Sequence, residues 1–135
     1  MFSSLMLAVV LVAAPTKATP IEVLSVCRFN AALADETLLH HVVDLTCAVT
    51  EIERDGIGGY IVRIDTETHE SDFIGRVEIH CHFTGTSRAA LAAIKPGEVV
   101  TIRGVPRELR DHLSFPLDKN VRIKMKDCEL VAGAE

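Results

Sequence analysis

The chain has no tryptophan, one tyrosine and five phenylalanines. A surface that holds single-stranded nucleic acid stacks its bases on exposed rings, so this composition leaves little for that task. It has no Cys-x-x-Cys pair either, which removes zinc ribbons and thioredoxin-like redox motifs. No Gly-x-Ser-x-Gly, His-Glu-x-x-His or Walker-type sequence is present, so none of the signatures of common hydrolases, metalloproteases or nucleotide-binding enzymes supports catalysis. We therefore expect no enzyme, no catalytic residue, no metal and no cofactor. Positive charge is also short: 14 Lys and Arg stand against 19 Asp and Glu, a formal charge of −5. That balance disfavours general affinity for nucleic acid or anionic membrane. No apolar run reaches membrane-spanning length, since Leu5–Ala14 is too short to cross a bilayer as a helix.

That apolar run is followed by Pro15, Thr16, Lys17, Ala18, Thr19 and Pro20. The order resembles a secretory signal, with cleavage after Ala14 or Ala18, although no Lys or Arg precedes the apolar core. Residues 1–18 are read as this signal and residues 21–131 as one domain, as a chain of 135 residues allows. The expected location is periplasmic or secreted. Four cysteines, Cys27, Cys47, Cys81 and Cys128, remain, and an exported chain with an even count permits two disulfides in three connectivities.

Periodicity supplies the elements. Ile21, Leu24, Cys27 and Ala31 recur at helical spacing, predicting a helix from Ile21 to about Ala34, with a break at Asp35–Thr37. Leu45, Cys47 and Val49 alternate with polar residues, so Val42–Glu53 reads as strand one. The segment Arg54–Gly59 reads as a turn, Tyr60–Asp65 as strand two, Thr66–Asp72 as a polar loop and Arg76–Phe83 as strand three. Ser87 is placed to cap a short helix over Arg88–Ile94, which Lys95-Pro96-Gly97 ends. Strand four is Glu98–Val105, with Gly104 marking a bend or bulge. Pro106–Asn120 reads as a long connection. Strand five runs from Val121 to about Val131, and a bulge near Asp127 accounts for the shift of apolar phase to Cys128 and Leu130.

Five strands with a helix between the third and fourth is the order of an all-β, five-stranded OB-fold barrel, here preceded by an N-terminal helix. Cys81-His-Phe83, the helix ending in Lys95-Pro-Gly97, Val99-Val-Thr-Ile-Arg-Gly104 and Lys126-Asp-Cys-Glu-Leu130 carry a further likeness. In these residues the chain resembles the tRNA_anti-like family of OB-fold domains over roughly Ile21 to Leu130. It departs from the family pattern at Cys47, where a glycine is usual, and in the length of its Arg107–Asn120 connection. In an OB barrel strands three and five are neighbours, which implies a Cys81–Cys128 disulfide. A second bond, Cys27–Cys47, would pin the helix to strand one.

Two features remain for a ligand. Arg122, Lys124 and Lys126 form an outward row on strand five, and Arg103 is expected outward on strand four, with Phe115 as a nearby loop aromatic. These five define the expected ligand-binding face. His80 and His82, two apart on strand three, share an outward face and are read as surface histidines, because no ligand motif accompanies them. The resulting expectation is a non-enzymatic exported binding module, with an anionic ligand or an envelope protein as partner. The alternative is a single-stranded nucleic-acid binder of the anticodon-binding-domain type.

Overall fold

The computed structural model describes residues 14–70, 73–114 and 117–131. Residues 1–13, most of the expected signal, lie outside the described residues. The described chain begins with a short strand, β1 (Thr16–Ala18), and two helices, α1 (Pro20–Phe29) and α2 (Ala31–Thr37). Thr19 opens α1 with a reciprocal cap. Its hydroxyl accepts from the Glu22 N–H at 3.3 Å, and the Glu22 carboxylate accepts from the Thr19 N–H at 2.9 Å. This satisfies two donors in the first turn, where Pro20 has no N–H to leave unpaired.

The single helix expected over Ile21–Ala34 is two, and the break falls at Asn30 rather than at Asp35–Thr37. Asn30 adopts an extended backbone, ending α1, and its side-chain oxygen accepts from the Leu33 N–H at 3.1 Å to start α2. An asparagine that can cap the following turn competes with helix continuation at its own position. Val23, Leu24 and Cys27, one face of α1, are buried against the sheet.

The remaining strands are β2 (Val43–Ala48), β3 (Glu51–Arg54), β4 (Tyr60–Glu70), β5 (Phe73–Phe83), β6 (Val99–Ser114) and β7 (Leu117–Leu130). A short helix, α3 (Arg88–Ala92), lies between β5 and β6. Ser87 occupies its N-cap position but makes no side-chain capping bond, contrary to expectation. The protein is mostly β, as the alternating patterns require. The expected closed barrel of five strands is corrected to one open sheet of seven, in the order β1-β2-β6-β7-β5-β4-β3, whose end strands β1 and β3 do not pair with each other among the described residues.

Two additions account for the difference. β1 pairs in parallel with β2, Thr16–Ala18 against Val43–Leu45. The strand expected over Val42–Glu53 is also divided at Val49 and Thr50. The Val49 N–H donates to the Glu98 carbonyl at 3.2 Å, whereas the Thr50 N–H donates to the Arg63 carbonyl at 2.9 Å. Consecutive residues thus bond to different neighbours: β2 pairs with β6 and β3 with β4. Only two residues join strands near opposite ends of the order, so the sheet must curl tightly.

Two segments expected as loops are strand. Thr66–Glu70 continues β4, with Thr66 opposite Val77 and Thr68 opposite Gly75. Its outer row is polar, so composition hid the pairing. Likewise, much of the Pro106–Asn120 connection belongs to the β6–β7 hairpin. Pro106 is accommodated next to a register shift, one of the few places a sheet admits proline. Its carbonyl accepts from the His40 N–H at 2.8 Å.

The core lies on the inner face, where Leu24, Leu45, Ile64, Ile79, Ile102 and Met125 are its largest fully buried side chains. Gly104 is buried at a register shift between Arg103 and Val105, as its place in the sequence suggested. A Cβ there would lie 2.6 Å from the Cys128 sulfur. Asp127 takes φ of 56° at the expected bulge, which returns Cys128 to the inner face.

Candidate functional site, a cationic cleft on the outer face

Strand alternation puts every second residue of β4, β5, β7 and β6 on the outer face, and the register aligns them into rows. One row runs Arg63, His80, Lys124, Glu108, and the next runs Asp65, Glu78, Arg122, Arg110. The second row sets two arginines, Arg110 and Arg122, directly opposite each other. Like charges so placed are destabilising.

Between these rows lies a cleft of about 280 Å³ lined by His80, Glu108, Arg110, Arg122, Ile123 and Lys124. Glu78 anchors its rim. One carboxylate oxygen accepts from Arg122 Nε at 3.0 Å and the other from Arg63 Nη2 at 2.8 Å. Burial works against ionising Glu78, but the two guanidiniums outweigh it and hold the carboxyl below its ordinary range. Glu108 takes the other cations, with Arg110 Nη2 at 2.7 Å and Lys124 Nζ at 3.5 Å. Three cations therefore line the cleft against one carboxylate.

His80 and His82 share the outer face of β5 and are half-buried there. Nε2 of both His80 and His82 is shielded from solvent and has no hydrogen-bond partner. His80 Nε2 is 3.7 Å from Glu78, too far for a hydrogen bond. The imidazole of His82 is held below its ordinary pKa, first by burial and then by Lys126, Lys124 and His80. Among the described residues, no group of three or more His, Cys, Asp and Glu is placed to hold a metal ion.

Of the five expected ligand residues, Arg122 and Lys124 line the cleft and Lys126 continues their row. Arg103 does not join them. Its Nε and Nη2 donate to the two Asp44 carboxylate oxygens at 2.7 and 3.0 Å, a bidentate pair that ties β6 to β2. Arg103 lies five residues along β6 from Glu108, a distance of roughly 17 Å in a strand. The outward row on strand four ends because Asp44, nearly buried on β2, claims its cation. Phe115 lies outside the described residues.

Sequence reasoning missed Arg110, Glu108 and the role of His80. Arg110 and Glu108 sat in the supposed connection, yet Leu109 between them packs against the core. That polar-apolar-polar alternation was the available signal. A second groove, of about 560 Å³, lies between β3, β4 and α3 and includes Tyr60, whose hydroxyl accepts from Arg88 Nε at 3.0 Å. Its charged lining, Glu53, Arg54 and Arg88, is mixed in sign.

The four cysteines are buried thiols, without the two disulfides that the even count permits. The Cys47 thiol is pushed up to about 12 by burial. Cys81 is also raised, first by its hydrogen bond with Cys128 and then by burial. Thiols so perturbed are poor nucleophiles in the folded state.

No family model matches the chain, and a comparison with curated protein sequences gives no match. A solved structure is similar: a "putative nucleic acid-binding lipoprotein" from Klebsiella pneumoniae, with a TM-score of 0.53 and 17% identity, covering 87% of this chain and 92% of that one. At this identity the likeness is one of fold. No helix among the described residues is long and apolar enough to cross a membrane.

Proposed function

We propose that this chain is a non-enzymatic, exported binding module whose outer-face cleft takes an anionic ligand bearing phosphate-like charge. The observation that carries the reading is Arg110 opposite Arg122, with Lys124 alongside, in a concave site with one lining carboxylate. Glu78 and Glu108 each take part of this charge, and the guanidiniums keep further donors that suit a planar or tetrahedral oxyanion. His80 adds a shielded ring nitrogen with no hydrogen-bond partner.

We read the scaffold as a variant of the OB arrangement. The support is a parallel β5–β7 pair, a helix between β5 and β6, and a first strand divided into β2 and β3. Export is supported by the Leu5–Ala14 run before small residues. The second reading, a single-stranded nucleic-acid binder, is favoured by the description of the Klebsiella protein. Against it, Tyr60 is half-buried and Phe83 buried, so neither is a stacking platform.

Calorimetric titration of the purified protein with inorganic pyrophosphate and with a short oligothymidylate separates these readings. Under the first, pyrophosphate binds and the Arg110→Gln/Arg122→Gln variant loses roughly tenfold or more in affinity. No binding of pyrophosphate, or equal affinity in the variant, overturns it. Tighter binding of the oligonucleotide, falling steeply with salt, supports the second reading.

A further inference from the structure

The cationic face continues beyond the cleft in one direction. Arg122, Lys124 and Lys126 alternate outward along β7 between the buried Val121, Ile123 and Met125. Two residues of strand rise about 6.7 Å, so the row spans roughly 13 Å. Towards Asn120 the row stops. Its neighbour there, Arg76 of β5, is taken by Asp65 at 3.3 Å and Glu67 at 3.8 Å. Towards Lys126 it stays open. Arg122 and Lys124 share their charge with Glu78 and Glu108. Lys126 instead stands opposite Val105 of β6 and makes no ion pair among the described residues. On the other side, the parallel register sets His80 beside Lys124 and Cys81 beside Met125, so its next outward step brings His82 to Lys126. Nε2 of both imidazoles is shielded and unpartnered.

We propose that the cleft is one end of a track along β7 whose ligand is linear inorganic polyphosphate, held at Arg110 and Arg122, then at Lys124, then at Lys126. The proposal rests on the anion-binding reading of the cleft and names its ligand class. Three features select that class. A ligand that reaches all three rows must carry charge over roughly 13 Å, which the two adjacent phosphoryl groups of pyrophosphate do not. Polyphosphate carries charge on every unit, so a phosphoryl group falls at each cation whatever its register on the strand. No Phe, Tyr or Trp stands in the three rows, so nucleic-acid bases find no stacking platform there. Once a chain is seated on the arginine pair, its later phosphates are held near Lys126, and the second contact becomes an intramolecular one.

Calorimetric titration of the full chain at low salt with pyrophosphate and with long-chain polyphosphate tests the track. Expressed per phosphate, polyphosphate should bind roughly tenfold or more tightly than pyrophosphate. Lys126→Gln should lower polyphosphate affinity roughly fivefold and its salt slope by about 1, against a change of less than about twofold for pyrophosphate. Arg54→Gln makes the same charge change in the second groove and should alter neither. Equal affinities per phosphate, an equal effect of Lys126→Gln on both ligands, or an equal loss from Arg54→Gln would overturn the track and leave the cleft reading standing. Failure of pyrophosphate to bind would overturn the cleft reading itself. Tighter binding of an oligothymidylate or a sulfated glycan of matched charge would reject polyphosphate as the ligand.

Discussion

Gly104→Ala should destabilise the protein mainly through one atom, and removing that atom should relieve most of the effect. A Cβ built at Gly104 lies 2.6 Å from the Cys128 sulfur, 3.0 Å from the Met125 methyl and 3.2 Å from the Lys126 carbonyl oxygen. The methyl is the end of a flexible side chain and can give way. The sulfur hangs on a single rotatable bond inside a packed core, so relief there requires an off-rotamer side chain or a backbone shift. Overpacking of this kind costs about 1–3 kcal/mol. Gly104 is not at positive φ, so the backbone itself accepts alanine, and the smaller unfolded-state entropy returns about 0.4–1 kcal/mol.

The net expectation is a loss of about 1–2 kcal/mol, or a melting temperature lower by roughly 3–10 °C for a domain of this size. The assay is a double-mutant cycle of thermal and urea unfolding in reductant, so that thiol oxidation contributes nothing. In a Cys128→Ala background the sulfur contact is gone and the close approach to the Lys126 carbonyl remains, so Gly104→Ala should cost much less, about 0–1 kcal/mol. The coupling should reach about 1 kcal/mol, as for residues in direct contact. If Gly104→Ala costs the same in both backgrounds, or costs nothing in the wild type, the steric account of this glycine is refuted.

Asp44 and Glu78 both have folded pKa values below their ordinary range. Their contribution is present above the unfolded carboxylate pKa near 4 and is lost as pH falls through the folded values. Asp44→Asn should therefore flatten the acid limb of a plot of melting temperature against pH; an unchanged limb refutes the assignment. Glu108→Gln removes the one carboxylate lining the cleft and should tighten pyrophosphate binding by about two- to fivefold at low salt. Weaker binding would show that Glu108 positions the cations more than it offsets them.

The sequence made the inner face legible wherever apolar residues alternate with polar ones. Leu45, Cys47, Val77, Ile79, Cys81, Val121, Ile123 and Met125 are all buried. It was less informative where both strand faces carry polar residues. Thr66, Thr68, Glu67 and His69 read as loop because their pairing with β5 is set by partners far along the chain, not by local pattern. Asn30 gave a local signal of the opposite kind: a single capping side chain outweighed the continuous apolar spacing of the expected helix. For the candidate site, Arg122 and Lys124 were visible from β7 alone. Arg110 and His80 required the register. Arg103 stands apart from them, because its guanidinium pairs with Asp44, 59 residues away in sequence.

The bulge at Asp127 connects these observations. Strict alternation beyond Met125 would turn Asp127 inward, and an unpaired carboxylate in the core is far costlier than a local distortion. Asp127 instead takes positive φ, a conformation that aspartate tolerates better than most residues, and its side chain remains 77% exposed, 3.7 Å from Arg107. The extra residue lets Cys128 take the inner position and leaves Lys126 in the outer cationic row. It works only because β6 offers glycine opposite the displaced sulfur. The inner place of Cys128 and the need for Gly104 are thus consequences of one register shift, while Arg122, Lys124 and Lys126 keep the outward phase set before it. A variant that straightened β7 would disturb the core at Cys128 and leave the cleft in place.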